Sequence, residues 1–357
     1  MKRIFLAVGG LVLAVALLAY LNRVAIMTRL VARVVEQNLR TDLLQELPDG
    51  LHVAICGAGS PLPDPERSGP CVAIMGGDRI YVVDAGSGSS RVMAAMRVPH
   101  ASVKAVLLSH FHSDHIDGLG ELLLQRWVNG SHSAPTPVIG PPGVDEVVEG
   151  LNQAYQFDQR YRVEHHGPKT VPPSGAGAVA RPFRMPLDGE GLVVVDEGGW
   201  RITAFRVDHS PVSPAVGYRF DYAGRSVVLS GDTVKSKNVE KFAQGADLLV
   251  HEALSPTLVD WITEAARRAK RPNLVKIMRD IKDYHATPVD AAEIARDAGV
   301  DHLLYYHTVP PLLSRLLETV FLEGVAEVYD GPVTISRDGT LVSLPRGSQA
   351  IELDQLL

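Results

Sequence analysis

Four side chains in the stretch Val106-Leu-Leu-Ser-His-Phe-His-Ser-Asp-His-Ile-Asp-Gly-Leu-Gly120 have types and spacing suited to chemistry: His110, His112, Asp114 and His115. Two histidines at i and i+2, on a chain leaving a strand, can face one metal ion. Asp114 and His115, one turn further on, can face a second ion beside it. Imidazole with carboxylate suits Zn²⁺ and, less selectively, Mn²⁺ or Fe²⁺. The bland alternative is a solvated His-rich loop, but His makes up only 13 of 357 residues, so composition alone does not account for the cluster. Four ligands cannot complete two metal shells. Further His and Asp are therefore expected at strand ends downstream.

The elements that must position these residues read as follows. Leu51–Cys56, Cys71–Met75 and Arg79–Asp84 are strands, and Val106-Leu107-Leu108 is a short buried one delivering the first cluster. Helices are expected near 119–127 and from Val144 to Tyr161, with a short strand at Val138 between them. Later strands end in His209 after Trp200–Asp208, in Asp232 after Arg225–Leu229, in His251-Glu252 after Asp247–Val250, and in His307 after His302–Tyr306. His209, Asp232 and His307 thus stand where the first cluster stands and are the missing ligands. Asp84, at a strand end, can brace the metal loop by hydrogen bonds, and His251 and Glu252 can do the same around the site. The Gly- and Pro-rich segment 57–70 reads as a structured rim loop. Residues 165–190 present no readable element, so His165 and His166, like His132, are read as surface residues. Cys56 and Cys71 lie in apolar segments and read as small buried hydrophobes without a metal role, a single bridge being the lesser alternative.

Length and composition are those of an ordinary globular protein: 46% apolar, 21% charged, and a net charge of −6 that speaks mildly against a general affinity for nucleic acid. Met1-Lys2-Arg3 precedes 18 uncharged residues, Ile4 to Leu21, which read as a transmembrane signal anchor occupying 1–22. From Arg23 towards Leu47 apolar residues recur at helical spacing, giving an amphipathic linker helix within 23–50, and the globular domain fills 51–357. The apolar stripe of the linker can pack on the domain, lie on lipid, or pair two copies as a homodimer. The expected location is the membrane, with the catalytic domain on the extracytoplasmic side, periplasmic or exported.

The arrangement resembles the metallo-β-lactamase superfamily over nearly all of residues 51–345. The carriers are His-x-His-x-Asp-His, His209 with Gly217-Tyr218-Arg219 behind it, Asp232 in Ser-Gly-Asp-Thr, His251-Glu252-Ala253, and His285-Ala286-Thr287-Pro288 followed by Ala291-Ala292-Glu293-Ile294-Ala295. Together with Pro61-Leu-Pro-Asp-Pro-Glu-Arg-Ser-Gly-Pro70 they are similar to the tRNase Z and arylsulfatase-like branch. The resemblance implies an α/β fold, a four-layer αββα sandwich. It implies two Zn²⁺, one held by His110, His112 and His209, the other by Asp114, His115 and His307, with Asp232 bridging. It also implies that His285 is the proton donor. tRNase Z enzymes carry a tRNA-gripping arm between the counterparts of His209 and Asp232, where this chain has only 22 residues. The expectation is therefore a membrane-anchored dinuclear zinc hydrolase that uses a metal-bridging hydroxide on a small phosphodiester or sulfate ester, with tRNA an unlikely partner. A lactonase or carboxylic ester hydrolase, and a non-catalytic metal-stabilised binding module, are the alternatives.

Overall fold

A computed structural model describes residues 2–40 and 42–357. The chain divides into a unit ending at Glu46 and a unit from Leu47 to Leu357. In the first, helix Lys2–Leu21 is followed by helix Arg23–Arg40 and a short helix Leu43–Glu46. The amphipathic segment thus stops short of Leu47, and residue 41 lies outside the described residues. The single spanning helix expected in the first 22 residues is not supported. Among the described residues no single helix is long and apolar enough to cross a membrane. Val8–Leu21 and Arg23–Glu36 meet that test only jointly, bent by 67° at the break and by length and composition alone.

The second unit carries fifteen strands: β1 (Gly50–Gly57), β2 (Cys71–Gly76), β3 (Arg79–Val83), β4 (Val103–Leu107), β5 (Thr136–Gly140), β6 (Ala178–Pro182), β7 (Gly191–Glu197), β8 (Trp200–Arg206), β9 (Val216–Tyr222), β10 (Arg225–Leu229), β11 (Leu248–Leu254), β12 (His302–Val309), β13 (Val333–Ile335), β14 (Thr340–Pro345) and β15 (Glu352–Gln355). They form two sheets, in the orders β15-β14-β1-β2-β3-β4-β5-β6 and β13-β12-β11-β10-β9-β8-β7. Each is antiparallel in part and parallel where helices cross over, at β3 to β6 and at β10 to β13.

Strand alternation sorts the core. On β12, Leu304 and Tyr306 point between the sheets, whereas Leu303 and Tyr305 face a second apolar cluster. That cluster includes Ala291, Ala292, Ile294 and Ala295 of helix Pro288–Ala298. Helices Leu119–Gly130 and Val144–His166 pack against the other sheet near β5, completing the αββα sandwich. Trp200 is buried between the sheets, its ring stacked 4.4 Å from Tyr222 and edge-on at 5.0 Å to Tyr81 of the opposite sheet.

Two sequence expectations need correction here. Cys56 and Cys71 form a disulfide, because β1 and β2 are hydrogen-bonded neighbours and bring the two Cα atoms to 4.9 Å. The helix from Val144 continues to His166, and the supposedly unreadable segment after it supplies β6, which pairs parallel to β5. β14 and β15 near the C-terminus extend the first sheet beyond β1.

Reducing the bridge, or replacing both cysteines by alanine, is expected to lower unfolding stability by about 3 kcal/mol, since it closes a loop of 15-residue separation. Denaturant titration of oxidised against reduced protein checks this. His52, His100 and His302, all outside the His/Asp cluster, are each held below the ordinary value of 6.5 by burial. The unfolded chain therefore binds protons more readily than the folded one. Their contribution to stability is complete above about pH 6.5 and is lost as the pH falls below it. Denaturation midpoints at pH 7.5 and 5.5 should show the loss, and His100→Gln should narrow the gap between them.

Candidate metal centre

Every residue of the expected constellation lies at one end of the sandwich, where strands of both sheets run out. β4 ends at Leu107, and Ser109 and His110 follow at once. The chain then turns into a one-turn helix, Ser113–Ile116, that carries Asp114 and His115 and has His112 at its N-cap. Backbone contacts fix this turn: Ala85 N–H donates to the His115 carbonyl at 2.8 Å, and Gly118 N–H to the Ala85 carbonyl at 2.8 Å. The approach is close enough that a Cβ on Gly86 would sit 2.2 Å from the Asp114 carbonyl oxygen.

His307 arrives by a different device. Glu252 pairs with Tyr306 and Ala253 with Thr308, so His307 is the extra residue of a bulge and takes a φ of 44°. A left-handed conformation at a non-glycine residue is a local cost that the flanking ladder sustains.

The side chains converge. His110, His112, His209 and Asp232 form one group whose donor atoms lie within 4.8 Å of one another, and Asp114, His115 and His307 form a second. His110 Nε2 lies 3.0 Å from His112 Nδ1, which is 3.4 Å from His209 Nε2. Asp232 Oδ2 stands between the groups, 3.8 Å from His110, 3.9 Å from His209, and 3.4 Å from both His115 and His307. Asp114 Oδ2 is 3.5 Å from His115 Nε2 and 3.3 Å from His307 Nε2.

The outer nitrogens explain which way the inner ones face. His115 Nδ1 donates to Asp84 Oδ2 at 2.8 Å and His209 Nδ1 donates to the Tyr284 carbonyl at 2.8 Å. Ser109 Oγ donates to Asp84 Oδ2 at 2.7 Å and lies 3.0 Å from His110 Nδ1. With Nδ1 engaged, Nε2 of each of these rings is directed into the cluster.

Electrostatics agree with a cation site. Burial, followed by the charge of His115, drives the His110 imidazole well below its ordinary value; burial also lowers His112 and His209, so these three are neutral donors. Burial alone would also depress His115, but Asp232 and Asp84 together lift it well above 6.5. Burial opposes ionisation of Asp232, yet His307, His115 and His110 hold its carboxyl well below the usual range. Among the described residues, His115 Nε2 and Asp232 Oδ1 are buried atoms without a hydrogen-bond partner. Buried orphans aimed into a cluster of borderline and hard donors fit a divalent metal.

His285 sits at the rim of this cluster, within 4.8 Å of donor atoms of Asp232 and His307. Its Nδ1 donates to Glu252 Oε1 at 3.0 Å, and that oxygen also accepts from the backbone N–H of Thr233 and Ala286. It is not the cap of helix Pro288–Ala298. Thr287 fills that place in a reciprocal capping box with Asp290.

His251 departs from expectation. It shares a strand face with Leu249 and Ala253, which pack in the helix-side cluster, and its Nδ1 donates to the Glu252 carbonyl at 2.6 Å. Of the pair, Glu252 alone bonds to the site. His132 bonds the Ala101 carbonyl, and His165 and His166 end the helix begun at Val144, so all three lie apart from the cluster.

Two residues escaped the sequence reading. Ser109, which links Asp84 to His110, was signalled only by its adjacency to the motif. Tyr284, which holds His209 by its carbonyl, was signalled only by an aromatic next to His285. Two clefts open beside the cluster. One, of about 760 Å³, is rimmed by the loop from Ser60 to Gly69 and reaches Asp114, and the other, of about 450 Å³, reaches His209.

A two-sheet α/β sandwich with a His/Asp cluster at its strand ends defines the class of a metal-dependent hydrolase. Residues 79–308 match the family model described as "Beta-lactamase superfamily domain". The chain belongs to the metallo-β-lactamase superfamily and, within it, groups with ribonuclease Z relatives. It is 38% identical over 265 residues to Ribonuclease Z of Mycolicibacterium gilvum, covering 73% of this chain and 85% of the relative. Among solved structures it is similar to the metallo-beta-lactamase fold protein YhfI from Bacillus subtilis, with a TM-score of 0.58, 21% identity, and coverage of 83% of this chain and 100% of that one. It is similar to the short form of human tRNase Z with the same TM-score, 20% identity, and coverage of 82% and 99%.

The curated relatives overturn the expected substrate. They are named as ribonucleases and match across most of their length, which contradicts a membrane-anchored hydrolase of small phosphate or sulfate esters and the reading of tRNA as an unlikely partner. The arylsulfatase-like likeness, and with it the carboxylic-ester and non-catalytic alternatives, finds no support in them.

Asp84→Asn is expected to weaken metal binding 10–100-fold, because an amide nitrogen replaces one of the two oxygens that accept from Ser109 and His115. Zinc transfer to a chromophoric chelator, measured on variant and parent, tests this without any substrate.

Proposed function

We propose that this chain is a metal-dependent endoribonuclease of the ribonuclease Z kind, hydrolysing a phosphodiester bond of RNA, with a tRNA precursor the first substrate to test. The observation that carries the reading is the 38% identity to Ribonuclease Z over 85% of that relative, in a chain whose own His/Asp cluster has a further histidine, His285, beside it. In this reading His110, His112 and His209 would hold one zinc ion and Asp114, His115 and His307 another, with the Asp232 carboxylate available to both. Ions held there would make a water nucleophilic at neutral pH and offset the negative charge that grows on the phosphoryl oxygens.

The remaining work belongs to the protein. Asp84 fixes the His115 ring and, through Ser109, the His110 ring. His285 gives its Nε2 proton to the departing ribose oxygen as the phosphorus–oxygen bond breaks, and Glu252 orients that ring and steadies its charge. Glu252 is fully buried and already accepts two backbone N–H bonds, so it is held in place before substrate arrives.

Full-length protein, zinc-loaded, is expected to cut a tRNA precursor with a 3′ trailer at one position, and chelator should abolish the cut. His285→Ala should retain zinc and lose about 10²–10⁴-fold in kcat. A zinc-loaded protein that leaves every RNA intact while turning over aryl esters would refute the ribonuclease reading.

A further inference from the structure

Tyr284 has no part in the chemistry above beyond its carbonyl, yet its ring occupies a telling place. It stands edge-on to His209, with ring centroids 4.6 Å apart and planes at 88°, lies 4.8 Å from the His285 ring, and is 6.5 Å from His112. The phenol is half-buried, so part of the ring remains open at the mouth of a site otherwise walled by imidazoles and carboxylates. Its location is tightly fixed. The Tyr284 carbonyl accepts from His209 Nδ1, and the next residue, His285, is tethered to Glu252.

An aromatic ring 4.8 Å from the ring of the proton donor, at the mouth of the same site, is placed to lie against whatever carries the oxygen that receives the proton. In an RNA that group is a nucleoside, whose base offers a π-face of comparable size. Stacking on tyrosine is worth a factor of ten or more in affinity and tolerates any base identity, which suits an enzyme that selects its cut by position.

We propose that the Tyr284 ring is the platform on which the nucleobase bearing the leaving oxygen stacks, so that this residue sets which bond enters the site. The inference rests on the ribonuclease reading and adds a binding residue to it.

The test uses zinc-loaded full-length protein and two forms of one precursor RNA whose cut has been mapped: the natural form, and one lacking the base at the nucleotide that carries the leaving oxygen. kcat and KM are measured for the parent, Tyr284→Phe and Tyr284→Leu, with zinc content determined for each. Tyr284→Phe should stay within about twofold of the parent, since it keeps the ring. Tyr284→Leu should keep its zinc and lose about tenfold or more in kcat/KM on the natural RNA, mostly in KM, but little on the abasic RNA. Equal losses on both RNAs would mean that the ring merely packs against His209 and His285, and an unaffected Tyr284→Leu enzyme would likewise overturn the proposal. A parent enzyme that cuts neither RNA refutes the ribonuclease reading itself, a distinguishable failure.

Discussion

The buried carboxylate of Asp232 is the constraint around which the site is arranged. It is 2% exposed and has four imidazoles within 4 Å. An isolated carboxylate in such a place would be far too costly, and only positive charge on its neighbours, or a metal among them, offsets the desolvation. Two of those neighbours, His115 and His307, answer by shifting upward in pKa, whereas His110 and His209 stay neutral because burial and mutual repulsion outweigh one shared anion. The cluster therefore has a built-in demand for cationic charge at its centre. Each structural choice around it, from the tautomers fixed by Asp84 and Tyr284 to the bulge at His307, serves to keep lone pairs directed there.

Most of this was legible in the sequence because strand ends are legible. A run such as Val106-Leu107-Leu108 reads as buried strand, and a polar residue directly after it must emerge at a sheet edge, so repeating that pattern at His209, Asp232 and His307 pointed to one shared edge. The failures have equally specific causes. His251 was paired with Glu252 by adjacency, but adjacent residues of a strand face opposite ways, and only Glu252 faces the site. The disulfide was the lesser alternative because both cysteines lie in apolar segments, where a small buried thiol reads equally well, and nothing local says that the strands on either side of the intervening loop are neighbours. β6 lies in a segment whose composition says loop; it is a strand because β5 offers it an edge.

The substrate reading failed for a different reason. The short spacing between His209 and Asp232 does remove room for an arm, since β9, β10 and their turn occupy residues 216–229 of it. That observation bears on how a substrate is gripped, not on which bond is broken. Net charge was a similarly indirect guide: −6 over the whole chain says little about the few cations that meet a phosphate backbone. The identity to named ribonucleases outweighs both, because it spans the site and its scaffold together.

The donor pair shows how closely chemistry and fold are joined. Glu252 lies in β11 at the point where pairing with β12 slips by one residue. Before the slip, β11 is an ordinary parallel strand; at the slip, β12 gains the residue that becomes His307. The irregularity presents His307 to Asp114 and Asp232, beside the strand whose ordinary alternation turns Glu252 towards His285. If the ladder ran on without it, the strand alternation that buries Tyr306 between the sheets would turn the next side chain into the helix layer. The contacts of His307 with Asp114 and Asp232 would then be lost, although no residue of the cluster had changed. The bulge is for that reason as much a part of the site as any of the side chains that line it.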